Sequence, residues 1–168
     1  PEPKPLEAIL AASPRPWLLL AADGLSNAEN TGGLARSCAA LGAQALIVGE
    51  TSASAFLRRA VRTSMGAVFT LPVLETDNLE RLLGQLRHHG VRSVAAHPHA
   101  EQRLLSGVDL TGDCCLVLGS EGQGIAPHVL AACDEAASVP MRMGVDSLNV
   151  SNASAVFLYE AARQRRYV

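Results

Sequence analysis

Residues 17–48 read WLLLAADGLSNAENTGGLARSCAALGAQALIV, and this stretch decides the fold. It begins with a continuous apolar run over residues 17–22, which predicts a strand covered on both faces of a sheet. Small residues over 30–41 predict a helix that ends at Gly42, and Ala45–Val48 predicts a second buried strand. Two buried strands joined by a helix form a βαβ unit, in which the strands are parallel.

The same alternation continues along the chain. Further helices are predicted over residues 56–63, 78–89 and 149–166, with a short one from Pro127, and further strands over 67–71, 91–96, 114–118 and 136–139. Residues 1–16 carry five of the nine prolines and predict an irregular lead-in or a short helix. The pattern predicts one α/β domain over residues 1–168, with a largely parallel sheet and helices on both faces.

Composition excludes several classes of protein. Hydrophobic residues make up 48% and charged residues 18% of the chain, which is typical of a globular and not of a disordered protein. No apolar run has the length of a bilayer span, and the N-terminus lacks the pattern of a signal peptide, so no membrane partner is expected. The four cysteines form no C-x-x-C pair and predict buried thiols in a cytoplasmic protein.

Charge and histidine spacing allow more than one interpretation. The net charge of −2 is mild evidence against tight RNA binding by this domain alone. Two arginine clusters, at residues 58, 59 and 62 and at residues 163, 165 and 166, are either nucleic-acid contacts or solvated helix faces. His97 and His99 form an H-x-H pair, but no third ligand is apparent nearby, so no metal site is expected.

Three polar segments follow the strands that end at Ala22, Leu118 and Pro140. Because parallel strands end at a common edge, the three segments should meet there and form the ligand site. In the first segment, residues 27–36, Asn30 is expected to cap the helix. Gly32 and Gly33 suggest the close approach of a ligand or a second chain. Arg36, four residues after Gly32, lies on the same face of the predicted helix as Gly32. The alternative is a capped helix with an exposed arginine.

The second segment, residues 118–125, reads LGSEGQGI and predicts a flexible turn whose backbone groups can face a ligand. Its G-x-x-G-x-G spacing does not fit the dinucleotide fingerprint, the nucleophile elbow or the P-loop. A plain loop is the alternative. The third segment, residues 139–153, carries Ser147, Asn149, Ser151 and Asn152 at a helix start where one capping group would suffice. A bound ligand explains the surplus polar groups better than redundant capping does.

These segments, in this order, resemble the signature motifs of the SpoU/TrmH family of SPOUT methyltransferases. The family's motifs are N-x-x-N-x-G-x-x-x-R, L-V-x-G-x-E-x-x-G-[IL] and [IV]-P-M…S-L-N-V-S, which the chain matches at residues 27–36, 116–125 and 139–151. Residues 62–67 also resemble the family's R-x-S-x-G-A segment. The resemblance spans residues 17–163, and three motifs in register are highly specific. At Asn152 the chain departs from the small apolar residue that relatives usually carry.

The resemblance implies a C-terminal trefoil knot that holds S-adenosylmethionine, with S-adenosylhomocysteine as the product. It implies a homodimer in which Arg36 of one subunit lies near the cofactor of the other. A separate N-terminal RNA-binding domain would lie outside this chain. The implied cofactor-binding residues come from the second and third segments and are Leu118, Gly119, Gly124, Ile125, Val139, Met141, Leu148 and Asn149.

The implied activity is methyl transfer to a ribose 2′-hydroxyl of rRNA or tRNA. The implied catalytic residues are Arg36, Asn30, Glu121, Ser147 and Asn149. Since guanidinium keeps its proton in nearly all protein settings, Arg36 is expected to act as a cation that stabilises a developing alkoxide, with a role as base as the alternative. Glu121 either belongs to the reaction site or holds the loop by accepting backbone N–H groups.

Two other functions compete with this one. A catalytically inactive RNA-binding SPOUT module would have the same fold, but the intact set of polar residues argues against it. A Rossmann-type oxidoreductase is disfavoured by the glycine spacing of residues 118–125. Labelled-cofactor assays with bulk RNA separate the first of these from an enzyme, and dinucleotide binding tests the second.

Overall fold

Six parallel strands form one sheet in the computed structural model, which describes residues 5–98, 103–145 and 147–167. The strands are β1 (Leu18–Asp23), β2 (Ala45–Val48), β3 (Val73–Glu75), β4 (Arg92–Ala96), β5 (Cys114–Gly119) and β6 (Glu135–Ala137). The helices are α1 (Leu6–Ala12), α2 (Ala28–Leu41), α3 (Arg58–Thr63), α4 (Leu79–His88), α5 (Pro127–Ala132) and α6 (Val150–Gln164). The strand order is β3-β2-β1-β5-β4-β6, which confirms the predicted parallel α/β sheet.

The apolar runs of β1 and β5 lie side by side at the centre of the sheet. Their register runs from Leu18 opposite Cys114 to Asp23 opposite Gly119. Alternate side chains enter two cores: one lies under α2 and α6 and the other under α1, α4 and α5, so helices cover both faces as predicted. Cys114 lies in the first core and Cys115 in the second, as expected for neighbours on a strand.

The prediction of a strand over residues 67–71 is wrong. A 3-10 turn, Ala67–Phe69, occupies this stretch, and β3 follows it. Gly66 begins the turn with φ +82°, a left-handed conformation that suits glycine. Val68 and Leu71 are buried while the residues between them are exposed, a spacing of three that fits a helical turn and not a strand.

The prediction that Asn30 caps α2 is also wrong. The cap is Asn27, whose Oδ1 accepts a hydrogen bond from the Glu29 backbone N–H at 2.9 Å, so α2 starts at Ala28. Asn30 therefore lies inside the first turn, and its side-chain amide is available for other contacts. The end of α2 is as predicted, because Gly42 adopts the left-handed conformation there with φ +82°.

Helix α2 packs against α3 on one side and against α6 on the other. A Cβ atom at Gly32 would lie 2.4 Å from the Ala60 carbonyl oxygen, and one at Gly33 would lie 2.4 Å from the Ser151 Oγ. The expectation that these glycines make room for a ligand or a second chain is therefore wrong. They let two helices of the same chain approach α2 closely.

Arg165, just after α6, closes the amino edge of the sheet. Its guanidinium donates to the carbonyl oxygens of Pro16, Trp17, Leu110 and Gly112. One cation thereby joins the end of α6 to the chain before β1 and β5. In the part of the chain that the structure describes, no helix is both long and apolar enough to cross a membrane. The trefoil knot stays a prediction.

Candidate active site

A cavity of about 400 Å³ opens at the carboxyl edge of the sheet, where the sequence places the three polar segments. Its walls come from the ends of β4, β5 and β6 and from the start of α6. The predicted cofactor residues on its walls are Leu118, Gly119, Gly124, Ile125, Val139, Met141 and Leu148, and the predicted catalytic residues there are Glu121 and Ser147. The second and third segments therefore meet in one cavity.

The loop after β5 owes its shape to two of its glycines. The Ser120 N–H donates to the Gly124 carbonyl at 3.1 Å and the Gly124 N–H to the Ser120 carbonyl at 2.9 Å, which folds the loop back on itself. A Cβ atom at Gly119 would lie 2.1 Å from the Gly124 carbonyl carbon, so only glycine fits. Gly124 has φ +70°. Gly119 and Gly124 are thus required by the loop itself, which holds its backbone against the cavity.

Asp23 is a buried residue of this edge that the sequence analysis does not identify. Only 3% of it is exposed, and its Oδ2 accepts the Ala126 backbone N–H at 2.7 Å. Because Asp23 also pairs with Gly119 in the sheet, it contacts both ends of the loop between them. A carboxylate directly after the apolar run of β1 is the signal that could have identified it.

A polar network joins the three segments beside the cavity. The Asn30 Nδ2 donates to the Glu121 Oε1 at 3.0 Å, and the Asn149 Nδ2 donates to the same oxygen. The Asn149 Nδ2 also lies 3.2 Å from the Asn30 Oδ1. The Asn149 Oδ1 accepts the Ser151 backbone N–H at 2.9 Å, which turns its amide nitrogen towards Glu121. Residues 30, 121 and 149 thus converge, and the capping residue of α6 is shared with the site.

Arg36 does not belong to this network within one chain. It is exposed on α2, it does not line the cavity, and it has no hydrogen bond or ion pair with any described residue. Glu121 makes its observed hydrogen bonds to the two amides and not to the N–H groups of its own loop. This contact pattern differs from the loop-holding role that the sequence leaves open for it.

Other cavity residues are not among the site residues that the sequence predicts, although two of them, Val150 and Ala153, lie in the third segment. These other cavity residues are Ala96, His97, Pro98, Ala137, Ser138, Val150, Ala153 and Phe157. His97, half of the H-x-H pair, lies in the cavity wall, while His99 lies outside the described residues. Among the described residues, no group of three or more His, Cys, Asp or Glu side chains is arranged to hold a metal.

The four cysteines are free and lie away from this cavity. Three are buried in the cores and Cys133 is partly buried. Burial raises the pKa of the Cys133 thiol to about 12, and burial raises the pKa of Cys115 well above its ordinary value. Since the thiolate is the nucleophile, these cysteines are unsuited to covalent chemistry at neutral pH.

Known proteins resemble this chain in sequence and in structure. A model of the SpoU rRNA Methylase family matches residues 18–159. The 23S rRNA (guanosine-2′-O-)-methyltransferase RlmB of Ralstonia nicotianae is 37% identical over 163 residues, which cover 97% of this chain and 65% of that protein. The protein of the same name from Coxiella burnetii is 38% identical, over 95% of this chain and 64% of its own length. The chain thus spans slightly less than two thirds of these relatives.

Solved structures give the same relationship. The SpoU methyltransferase AviRb from Streptomyces viridochromogenes, in complex with the cofactor AdoMet, superposes with a TM-score of 0.91 at 28% identity, covering 99% of this chain and 67% of that one. The A. aeolicus TrmH/SpoU tRNA modifying enzyme superposes with a TM-score of 0.80 at 30% identity, covering 89% of this chain and 76% of that one. Sequence and structure therefore point to one family.

Proposed function

The chain belongs to the SpoU rRNA methylase family, and from this premise we propose that it transfers a methyl group from S-adenosylmethionine to a ribose 2′-hydroxyl of RNA. The observation that carries the proposal is the network of Asn30, Glu121 and Asn149 beside the cavity. Related proteins named for 23S rRNA methylation make rRNA the first candidate substrate, and the matched tRNA-modifying enzyme makes tRNA the second.

The cavity fits a cofactor of this size and chemistry. Its volume of about 400 Å³ is within the range of small-molecule sites, roughly 300–1,000 Å³. Leu118, Ile125 and Leu148 offer apolar contacts for the adenine ring, while the backbone of the loop after β5 offers donors and acceptors for the polar groups. When bound, S-adenosylmethionine supplies an electrophilic methyl group on a sulfonium. Residues 118–125 and 139–149 would hold it.

A ribose hydroxyl is a weak nucleophile, so the site must orient it and accept its proton or its developing charge. The observed bonds to Glu121 both reach Oε1, and among the described residues Oε2 has no partner. The two amides hold the carboxylate in place, which leaves Oε2 to accept a hydrogen bond from the substrate hydroxyl. Ser147, exposed at the cavity wall, would position the same nucleotide.

A second copy of the chain would complete the site with its own Arg36. In a single chain this guanidinium is exposed and unpartnered among the described residues, as a group that acts on a neighbouring subunit would be. A guanidinium is a cation with donors and no acceptor, so it would stabilise the developing alkoxide and a nearby phosphate and would not act as a base. We place this homodimer in the cytoplasm, where RNA and reduced thiols occur together. Arg36→Lys should lose most methyl transfer with RNA binding intact, and near-normal transfer would exclude a guanidinium-specific role.

The test is transfer of tritium from S-[methyl-³H]adenosylmethionine to unmodified 23S rRNA and to bulk tRNA, followed by alkaline hydrolysis. A 2′-O-methyl group blocks alkaline cleavage, so the label should appear in dinucleotides that resist alkali. Glu121→Gln should lose most of this label while keeping cofactor affinity. Binding of both cofactor and RNA without any transfer would instead support the inactive RNA-binding module. Label in alkali-sensitive mononucleotides would refute ribose methylation.

A further inference from the structure

The structure separates the two arginine clusters that the sequence leaves equivalent. In the C-terminal cluster, Arg163 pairs with Glu160 at 2.7 Å and Arg165 donates to backbone carbonyls. In the cluster on α3, the arginines at 58, 59 and 62 are exposed and have no hydrogen bond or ion pair within the described parts of the chain. Two of the three arginines of the C-terminal cluster are therefore bound within the chain and only Arg166 is not, whereas all three side chains of the α3 cluster are available to a partner.

Two of the α3 arginines line a cleft. Arg59, Arg62 and Thr63 form one side and Glu29 the other, around a volume of about 460 Å³. The Glu29 carboxylate offsets one of the two positive charges and leaves a net positive cleft. Glu29 directly precedes Asn30 in α2, so the cleft and the polar network of the proposed reaction site draw on neighbouring residues of the same helical turn.

The position of α3 relative to that network is fixed by backbone packing. The Ala60 carbonyl and Cα lie where a Cβ atom of Gly32 would be, at 2.4 and 2.9 Å. The Thr31 hydroxyl, buried in α2, donates to the Ala53 carbonyl at 3.1 Å in the chain that leads to α3. Ala60 lies between Arg59 and Arg62, and both Thr31 and Gly32 follow Asn30 directly, so this packing fixes the arginine face of α3 relative to the reaction site.

We propose that Arg59, together with Arg62, binds a phosphodiester of the RNA strand whose ribose enters the adjacent site. This inference rests on the proposed function and adds to it a binding residue, Arg59, that lies outside the four motif segments at residues 27–36, 62–67, 116–125 and 139–151. Guanidinium groups donate paired hydrogen bonds to phosphate oxygens, which suits an unpaired arginine in a cleft. The chain as a whole carries a net charge of −2, so within this domain a local basic surface of this kind is what favours an RNA phosphate.

Salt dependence of RNA binding tests this directly. Each phosphate contact to a single strand contributes about 0.7 to the slope of log K against log salt concentration. Filter binding of in vitro transcribed 23S rRNA between about 50 and 200 mM salt would measure that slope. The proteins to compare are wild type, Arg59→Gln and Arg81→Gln. Arg81 is the matched control, because its guanidinium is exposed and has no partner among the described residues, but it lies on α4, over the opposite face of the sheet.

Arg59→Gln should weaken binding about fivefold and reduce the slope by about 0.7, whereas Arg81→Gln should change neither. Arg59→Lys should keep the slope, because the charge remains. Equal effects of the substitutions at 59 and 81 would overturn the proposal, and so would an unchanged slope for Arg59→Gln. Two measurements on wild type, calorimetry with S-adenosylhomocysteine and the methyl-transfer assay, test the proposed function independently of the salt slope. Failure of the proposed reaction is thereby distinguished from failure of the phosphate-binding site.

Discussion

Replacing Gly32 with alanine tests whether the close packing of α2 and α3 is as tight as the structure indicates. Alanine is favoured over glycine inside a helix by about 1 kcal/mol, so propensity alone predicts a gain in stability. Against this, the new Cβ would lie 2.4, 2.9 and 3.0 Å from three backbone atoms of Ala60. No side-chain rotation relieves an overlap with backbone, so α3 has to move away from α2.

Overpacking of this kind costs about 1–3 kcal/mol, and a backbone clash belongs at the upper end. The net expectation for Gly32→Ala is a loss of about 2 kcal/mol in the free energy of unfolding. Gly84 supplies the matched control, because it lies inside α4 and a Cβ atom there would meet nothing within 4 Å. Gly84→Ala should gain about 1 kcal/mol, so the two substitutions should differ by about 3 kcal/mol.

Urea and thermal unfolding followed by circular dichroism measure both variants. For a chain of this length, Gly32→Ala should lower Tm by about 4–8 °C and Gly84→Ala should raise it by about 2–4 °C. If Gly32→Ala stabilised the protein as much as Gly84→Ala, α3 would not be packed against α2 as described. The fixed distance between the α3 arginines and the reaction site would then lose its basis.

Three further outcomes are expected. Asp23→Ala should weaken S-adenosylhomocysteine binding about tenfold in calorimetry, because it frees the end of the loop after β5. The control Asp113→Ala removes a carboxylate at the opposite edge of the sheet, so it should lower Tm and leave that affinity unchanged. Because burial raises the pKa of Cys133 to about 12, its alkylation by iodoacetamide at pH 8 should be at least about a hundredfold slower in the folded than in the unfolded protein, and equal rates would contradict its burial. The hydroxyl and backbone N–H of Thr111 lower the pKa of Asp109 by donating hydrogen bonds to its carboxylate. These bonds therefore stabilise the folded state above the unfolded-state pKa of Asp109, and their contribution is lost as the pH falls through its folded-state pKa. Thr111→Val should raise the pKa of Asp109 in an NMR titration, and an unchanged value would refute the assignment.

The sheet can be predicted from sequence wherever burial is complete. The runs of β1, β2 and β5 are apolar without interruption, because helices cover both faces of these strands. The short strand β3 is different: its burial is partial, and the apolar residues before it belong to a turn set by Gly66. A short apolar run has the same composition in either state, so only its tertiary surroundings decide between them.

The candidate site can be predicted in its residues but not in its contacts. Asn30, Glu121 and Asn149 come from three recognisable segments, yet their hydrogen bonds span up to 119 positions along the chain and depend on how α2 and α6 cross. Two asparagines three residues apart, at 27 and 30, suit the helix cap equally well, and sequence does not decide which of them takes it. Asp23 escapes notice because a single carboxylate has no motif.

The bonds from Arg165 to the carbonyls of Pro16 and Trp17 also have a consequence for synthesis on the ribosome. Strand β1 emerges early. Arg165, which secures the start of β1, and α6, which supplies Phe157 to the cavity wall, emerge among the last residues of this stretch. A nascent chain that stops short of residue 165 therefore has a sheet without this contact, and one that stops short of residue 157 also lacks part of the cavity wall. The cavity wall and the closing contact of the sheet are therefore complete only once residues 157–165 have been synthesised.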